Sequence, residues 1–393
     1  MVVTGKEKYL WVSNILPAEI VEELGLSVAG KKMETNLVRS LYKQKDCDVL
    51  SVSRQGYSQS ERLGFKLFDD KTYNQINVKN VALLQNKTAE KEVYNFLLKW
   101  CKKNIDKSKI VIVINSPLFV CRRLLKLKKK FNLKLISYTV DLPIVSKPKN
   151  VKQWLLNRYN KRYFNNGIKC LKGFNGLIGV NSNLKTALKV DIPFYKTLIG
   201  YDVASGFLDV KPVTIPLEIG YAGTLIDYNG VIELIDAVSA LDNDLFHLHI
   251  FGYGPQEEEI KILSRERSNV YFHGRFNNVN ISEVLLNIDV LVNPRKVGIE
   301  ISDYTFPSKI VEYLAMGKVV LSTRFSSMPK EYEQFVFLVG QADSTQLKEA
   351  IFDISKHSAD SLYKMQKAGQ DFVKIEHNYD NITSEIIKFI ERC

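Results

Sequence analysis

The sequence predicts an α/β protein of two domains, each an open parallel sheet covered by helices. Three observations carry this. Short β-rich apolar runs alternate with helical patterns along the whole chain. The 393 residues exceed the size at which a single core usually stops growing. The alternation also starts afresh after "GFLDVKPVTIP" (206–216), where two prolines break both periods. The domains are therefore placed at 1–206 and 207–393, with the last helix free to pack back on the first.

In the first half the expected strands are "KYLWVSN" (8–14), "CDVLSVS" (47–53), "KIVIVIN" (109–115), "KLISYTV" (134–140) and "GLIGVNS" (176–182). Between them, residues 88–103 repeat Val93, Phe96, Leu97 and Trp100 at i, i+3, i+4 and i+7, the period of an amphipathic helix. The second half runs through "LEIGYAG" (217–223), "LFHLHIFG" (245–252), "NVYFHG" (269–274), "IDVLVN" (288–293), "KVVLST" (318–323) and "FVFLV" (335–339). Its helix at 230–241 lines up Val231, Leu234, Ile235, Val238 and Leu241. Ligands of such sheets bind beyond the carboxyl ends of the strands, so chemistry is sought in strand-to-helix turns.

Composition narrows the class. With 45% hydrophobic residues the chain can bury real cores. Its five cysteines have no paired spacing for a metal or redox site, which points to a reducing, cytoplasmic setting. No signal core or membrane-length apolar run is present in the sequence. The net charge of +12 is concentrated: between Ser116 and Gly173 fifteen basic residues face one acid, Asp141, so this segment is +14 and the remainder −2. A field of one sign implies an anionic partner. Basic residues interleaved with apolar ones in 120–134 and 151–164 favour an anionic membrane surface at the inner face over nucleic acid, for which no recognition motif is present. The alternative is a pair of ordinary helices with solvated lysines.

Three glycine-bearing turns follow strands in the second half: "YAGTLIDYNG" (221–230), "FGYGPQEEE" (251–259) and "FHGRF" (272–276). Each lets backbone approach a ligand, and each is equally explained by a tight turn. The fourth turn, "FPSKIVEYLAMG" (306–317), is richer. Pro307 suits a first helical turn and Gly317 a helix end. Lys309 and Glu312, three apart, share a face. A positive helix start beside an ammonium suits a diphosphate, with Glu312 one turn on to accept from ribose hydroxyls. The bland reading is a surface pair worth about 0.3 kcal/mol.

The ordered series "GYAGTL … LHIFGYGP … VYFHGRF … IDVLVNPRK … FPSKIVEYLAMGKVVLST" resembles the nucleotide-sugar-binding half of GT-B glycosyltransferases of the family-four type, the glycosyl transferases group 1. The resemblance covers about 215–330. It implies two Rossmann-like domains with an interdomain cleft, an acceptor on the first and a donor on the second, transfer with retention, and no metal. No cofactor is implied beyond a nucleotide-sugar co-substrate, UDP- or GDP-linked. The acceptor would be a glycan or lipid-linked, in cell-surface polysaccharide synthesis.

Carried onto this chain, the resemblance makes Glu312 the ribose glutamate and places Ser308 and Lys309 on the phosphate side, with Pro307, Gly223, Thr224, Gly252, Arg275 and Tyr304 completing the donor set. The chain departs from the pattern at Thr224 and Asn229, where cations are usual, and at Tyr304, where the first glutamate of a pair is usual. These departures leave open a catalytically silent subunit supporting a partner transferase. In the first half, "LSVAGKKMETNLVRSL" (26–41) looks like the glycine turn and helix of the acceptor side, with Gly30 and Lys31 as candidates. Asp141, at a strand end before proline, joins Lys309 as a candidate catalytic residue, or merely caps a turn. The five histidines have no ligand-like grouping in the sequence, and a nicotinamide enzyme is disfavoured because no turn carries the full glycine fingerprint.

Overall fold

The structure, a computed structural model, describes residues 7–13, 15, 28–53, 66–68, 71–72, 74–77, 85–105, 109–115, 120–139, 151–201, 209–275, 284–298 and 308–393. The chain divides into two compact units, Met1–Gly200 with Tyr379–Cys393, and Tyr201–Asn378.

The first unit contains strands β1 (Glu7–Ser13), β2 (Cys47–Ser53), β3 (Lys66–Phe68), β4 (Lys71–Thr72), β5 (Asn74–Asn77), β6 (Lys109–Asn115), β7 (Lys134–Thr139), β8 (Gly176–Gly179) and β9 (Phe194–Lys196). Its helices are α1 (Val28–Gln44), α2 (Gln85–Asn104), α3 (Cys121–Phe131), α4 (Val151–Leu171) and α5 (Asn183–Leu188). Seven strands form one sheet in the order β5-β2-β1-β6-β7-β8-β9, with every pairing parallel. A parallel sheet covered on both faces needs strands apolar on both, which is why β6 reads as the unbroken run KIVIVIN and buries Ile110 to Ile114. The short strands β3, β4, β5 and β9 carry too few apolar residues to stand out in the sequence.

The second unit contains β10 (Leu217–Ala222), α6 (Val231–Ser239), β11 (Phe246–Phe251), α7 (Glu257–Glu266), β12 (Val270–Gly274), β13 (Val290–Asn293), α8 (Ser308–Ala315), β14 (Val319–Thr323), β15 (Val336–Val339), α9 (Ser344–Lys356) and α10 (Ala359–Glu376). Its six parallel strands run β12-β11-β10-β13-β14-β15. Helices α6 and α9 close one face through Leu234, Ile235, Val238, Leu347 and Ile351. Helices α8 and α10 contribute Ile310, Val311, Leu314 and Val373 to a second core with Leu291 and Val320 of the sheet. Helix α6 ends at Ser239, short of the 241 expected, and Leu241 packs on the same core from the turn beyond.

In both sheets the chain winds outward from a central strand to one side and then resumes on the other. The reversal falls between β1 and β6 in the first unit and between β10 and β13 in the second. At such a switch point neighbouring connections leave in opposite directions and open a crevice at the strands' carboxyl ends.

The chain ends in α11 (Tyr379–Arg392), which belongs to the first unit. Its Ile382, Ile386, Phe389 and Ile390 join Tyr9, Trp11, Leu37, Val38 and Leu41 in one core. Lys134 Nζ donates to the Ile390 carbonyl at 2.9 Å, and Ser40 Oγ to Asp380 at 2.6 Å. All three tryptophans, Trp11, Trp100 and Trp154, lie in this unit. Ile390→Ala is therefore expected to lower the unfolding midpoint followed by tryptophan fluorescence, with a loss of about 3 kcal/mol. An equivalent truncation in the other unit, Ile235→Ala, should leave that signal's midpoint in place.

Candidate functional site

Residues from three segments of the second unit converge at its switch point. Strand β10 ends at Ala222 and turns at Gly223, β13 ends at Asn293 and turns through Pro294 and Arg295, and α8 begins at Ser308. Helix α8 is seated by its buried face, Ile310, Val311, Tyr313, Leu314 and Ala315. The Tyr313 hydroxyl donates to the Ala222 carbonyl at 3.2 Å and accepts from the Ala222 amide at 3.3 Å, tying the helix to the end of β10. Gly317, at φ +65°, ends the helix in the left-handed conformation open to glycine.

This docking aims Lys309, in the first turn of α8, back at the β10 turn. Its ammonium donates to the Tyr221 hydroxyl at 2.8 Å and lies 4.1 Å from the centre of that ring. A methyl group on Gly223 would collide with the Lys309 Nζ, so glycine is what lets the ammonium rest on the turn's backbone. Gly252, at the end of β11, is required for a harder reason: a Cβ there would strike the Gly223 carbonyl.

Tyr221 donates in turn to the Thr224 carbonyl at 2.9 Å, which also accepts from Asn229 Nδ2 at 2.7 Å. Thr224 and Asn229, the two departures from the cationic pattern, thus brace the turn on each other. Arg275 is exposed, with its guanidinium 4.4 Å from the centre of the Tyr253 ring. Ser308 and Glu312 are partly buried on α8. Tyr304, Pro307 and Asp141 lie outside the described residues.

Burial lowers the Lys309 ammonium from 10.5 to about 7; the Glu312 carboxylate opposes this and the positive charge of Arg295 adds to it. Burial also lifts the Tyr221 phenol well above its usual range. Near pH 7 the phenol is therefore neutral and the lysine is divided between its two forms, a balance that an arriving anion would tip toward the ammonium.

Two residues that the sequence did not single out belong to these crevices. Arg295 is 8% exposed and extends its guanidinium over the Tyr228 ring at 5.6 Å. In the first unit Glu34, 4% exposed on α1, accepts from Trp11 Nε1 at 3.1 Å and from Asn115 Nδ2 at 3.0 Å, at the carboxyl end of β6. A buried Arg two residues past a strand end, and a Glu one helical turn beyond Gly30, were the available signals. Gly30 and Lys31 themselves sit inside the first turn of α1, which begins at Val28, so the glycine is part of the helix and not a turn preceding it.

The histidines of β11 and β12 are occupied with their neighbours. Glu218 binds His247 at 2.9 Å and His249 at 2.6 Å, and His249 meets His273 at 2.9 Å. Among the described residues no group of three or more His, Cys, Asp or Glu could hold a metal ion. The basic helices divide. The apolar side of α3 (Leu124, Leu127 and Phe131) lies in the core of the first unit, as the ordinary-helix alternative has it, with Arg122, Lys126, Lys129 and Lys130 exposed. In α4, Trp154 is 48% exposed. Among the described residues no helix is long and apolar enough to cross a membrane.

Two parallel doubly wound sheets, the second with a cation at its switch point, define a protein of the GT-B architecture. The fold is shared along nearly the whole chain with a lipopolysaccharide outer core galactosyltransferase in its apo form (TM-score 0.64, 15% identity, 97% of this chain and 99% of that one). It is shared equally with the Anabaena protein HepE in complex with UDP (TM-score 0.65, 13% identity, 98% and 100%). Residues 216–357, within the second unit, match the family described as Glycosyl transferases group 1. A candidate colanic acid biosynthesis glycosyltransferase of Escherichia coli (strain K12) is 25% identical over 189 residues, 46% of this chain. The aligned part spans about half, 47%, of that relative's length.

The titration of Lys309 is open to measurement. Amine labelling of this residue should follow an apparent pKa of about 7, against 10.5 for an ordinary lysine. Glu312→Gln should lower it further, because the carboxylate favours the ammonium. The unfolded chain binds this proton more tightly than the folded one. The contribution of Lys309 to stability is therefore least favourable below pH 7 and improves as the pH rises from 7 toward 10.5.

Proposed function

We propose that the protein is a retaining glycosyltransferase that takes a sugar from a nucleoside-diphosphate donor held on the second unit and passes it to a glycan or lipid-linked acceptor in cell-surface polysaccharide synthesis. The observation that carries this reading is the Lys309 ammonium resting on the Gly223 turn at the switch point. The family of the second unit, the colanic acid assignment of one relative and the UDP bound to a structural neighbour support it.

As the glycosidic bond breaks, negative charge grows on the leaving diphosphate. Groups already positioned at that point stabilise the charge without reorganising. The reading gives this role to Lys309, to the backbone amide at Ser308 and to the Gly223 turn, without a metal ion. The diphosphate raises the proton affinity of Lys309, so binding draws a proton onto it. The departing phosphate oxygen takes the acceptor's proton, and the acceptor attacks from the face the leaving group vacates, which retains configuration. Glu312 accepts from the ribose hydroxyls, and α1 with Gly30 and Lys31 lies on the acceptor side.

Lys309→Ala is expected to reduce turnover about a hundredfold, and Glu312→Ala to raise the donor KM, both with the protein still folded. Full activity in Lys309→Ala overturns the site assignment. UDP affinity of the native protein should fall as pH rises above about 7, up to tenfold per unit, because neutral Lys309 must regain its proton to bind.

The same reading places the protein at the cytoplasmic face of an anionic membrane. Val151 and Trp154 are exposed at the start of α4, with Arg158, Lys161 and Arg162 exposed along it and Arg122, Lys126, Lys129 and Lys130 exposed on α3. Each cation near such a surface adds about 1 kcal/mol of attraction. Vesicles containing phosphatidylglycerol should bind the protein more tightly than neutral vesicles do, and Trp154→Ala should weaken that binding. Stronger binding to RNA at matched salt counts against this location.

A further inference from the structure

We propose that Arg295 is the second cation of the diphosphate subsite, acting from the β13 turn in place of the cations missing at Thr224 and Asn229. The proposal rests on the donor reading above and identifies which residue completes that site.

The first ground is position. Arg295 is the second residue after β13, and Gly223 the first after β10; these strands are adjacent and flank the reversal of winding. The crevice opened there has one wall from each turn. Arg295 is near enough to Lys309 and Tyr221, on the β10 side, for its charge to act on both.

The second ground is how firmly the residue is held. The Thr323 hydroxyl donates to the Arg295 carbonyl. The next amide, of Lys296, donates to the Tyr228 carbonyl at 2.9 Å, and the Lys296 ammonium joins Asp227 and Glu233, each at 2.8 Å. Gly230 packs so closely on this turn that a Cβ would strike the Pro294 carbonyl. The 227–230 and 294–296 turns are therefore clamped together, with the guanidinium laid over the Tyr228 ring between them. A fixed guanidinium loses little freedom on binding, and its planar fork suits paired phosphate oxygens.

The third ground is electrostatic. Arg295 acts on the Lys309 ammonium as a like charge, and it favours the ionised form of the Tyr221 phenol. Glu312 is the carboxylate among the described residues that acts on Lys309 in return. Two cations confined beside one switch point repel each other until an anion enters between them. A diphosphate provides the charge that relieves the repulsion, and protonated Lys309 with Arg295 then brackets it.

The departures from the family pattern become consistent on this view. Thr224 and Asn229 are joined through the Thr224 carbonyl, which makes a rigid neutral turn opposite the arginine. A cation at either position would stand beside Arg295 and Lys309 and add to the repulsion. The charge has been relocated from one wall of the crevice to the other.

The test measures UDP and uridine binding by calorimetry for the native protein, Arg295→Gln, Arg295→Lys, and Arg295→Gln combined with Thr224→Lys. Arg295→Gln should weaken UDP binding tenfold or more and leave uridine binding unchanged, with Arg295→Lys in between. Restoring a cation from the opposite wall, Thr224→Lys should recover much of the loss. In Arg295→Gln the apparent pKa of Lys309, read by amine labelling, should move upward from about 7; a purely structural role would not shift it. If Arg295→Gln melts early, the comparison of Arg295→Lys with the native protein decides the matter. Native UDP affinity in a folded Arg295→Gln, or in Arg295→Lys with Lys309 titrating as before, overturns the proposal. Failure of the native protein to bind any nucleoside diphosphate would instead sink the donor reading itself.

Discussion

The contact between the Lys309 ammonium and the turn after β10 constrains everything around it. To place an amine on a backbone, the turn must lack a side chain at Gly223, and the neighbouring turn must lack one at Gly252 to leave the Gly223 carbonyl where it is. The helix carrying the lysine must be short, firmly seated and close to the strand end, which the Tyr313 hydroxyl achieves by bonding both backbone groups of Ala222. The amine also needs a partner when neutral as well as when charged. Tyr221 serves both states, as a hydroxyl acceptor and as a ring face.

The position of this contact follows from winding order. Both units place their central strand between arms that run in opposite directions. Among the described strands, neighbouring turns diverge at the gaps β1/β6 and β10/β13. Each holds a buried ionisable side chain, Glu34 at the first and Arg295 at the second. Such groups are expensive to bury and are retained where they bind or orient something. That the first gap carries an acid and the second a base matches the division of labour proposed here, with hydroxyl-bearing acceptor on one unit and anionic donor on the other.

The fold was legible in the sequence because parallel strands buried on both faces must be written as unbroken apolar runs. KIVIVIN, LHIF and VVLST could hardly be anything else. Strands β3 and β4, an antiparallel pair of their own, and β5 and β9, at the two edges of the large sheet, were not legible, because two to four residues carry no such run. The basic helix α3 was legible as a helix, but its surroundings were not. The spacing of Leu124, Leu127 and Phe131 marks an apolar face without saying what covers it, and the core of the first unit is what covers it. At the site, Gly223, Lys309 and Glu312 stood out through motif and spacing. Arg295 did not, because its meaning depends on β13 lying next to β10, a neighbourhood of residues some seventy positions apart that no local pattern encodes.

That last miss bears on how a donor site of this kind can change. A diphosphate responds to the field in the crevice and to the geometry of its donors, and both are set jointly by two turns on adjacent strands. A cation can therefore leave one turn if another arrives on the facing one, provided that the vacated turn is made rigid by other means. The Tyr221, Thr224 and Asn229 hydrogen bonds supply that rigidity here. Lys309 is then no ordinary ammonium, because burial and the charge of Arg295 both work against its protonated form. Its lowered proton affinity comes first from burial and only secondarily from Arg295, and on the proposed donor reading it would couple binding of the diphosphate to proton uptake.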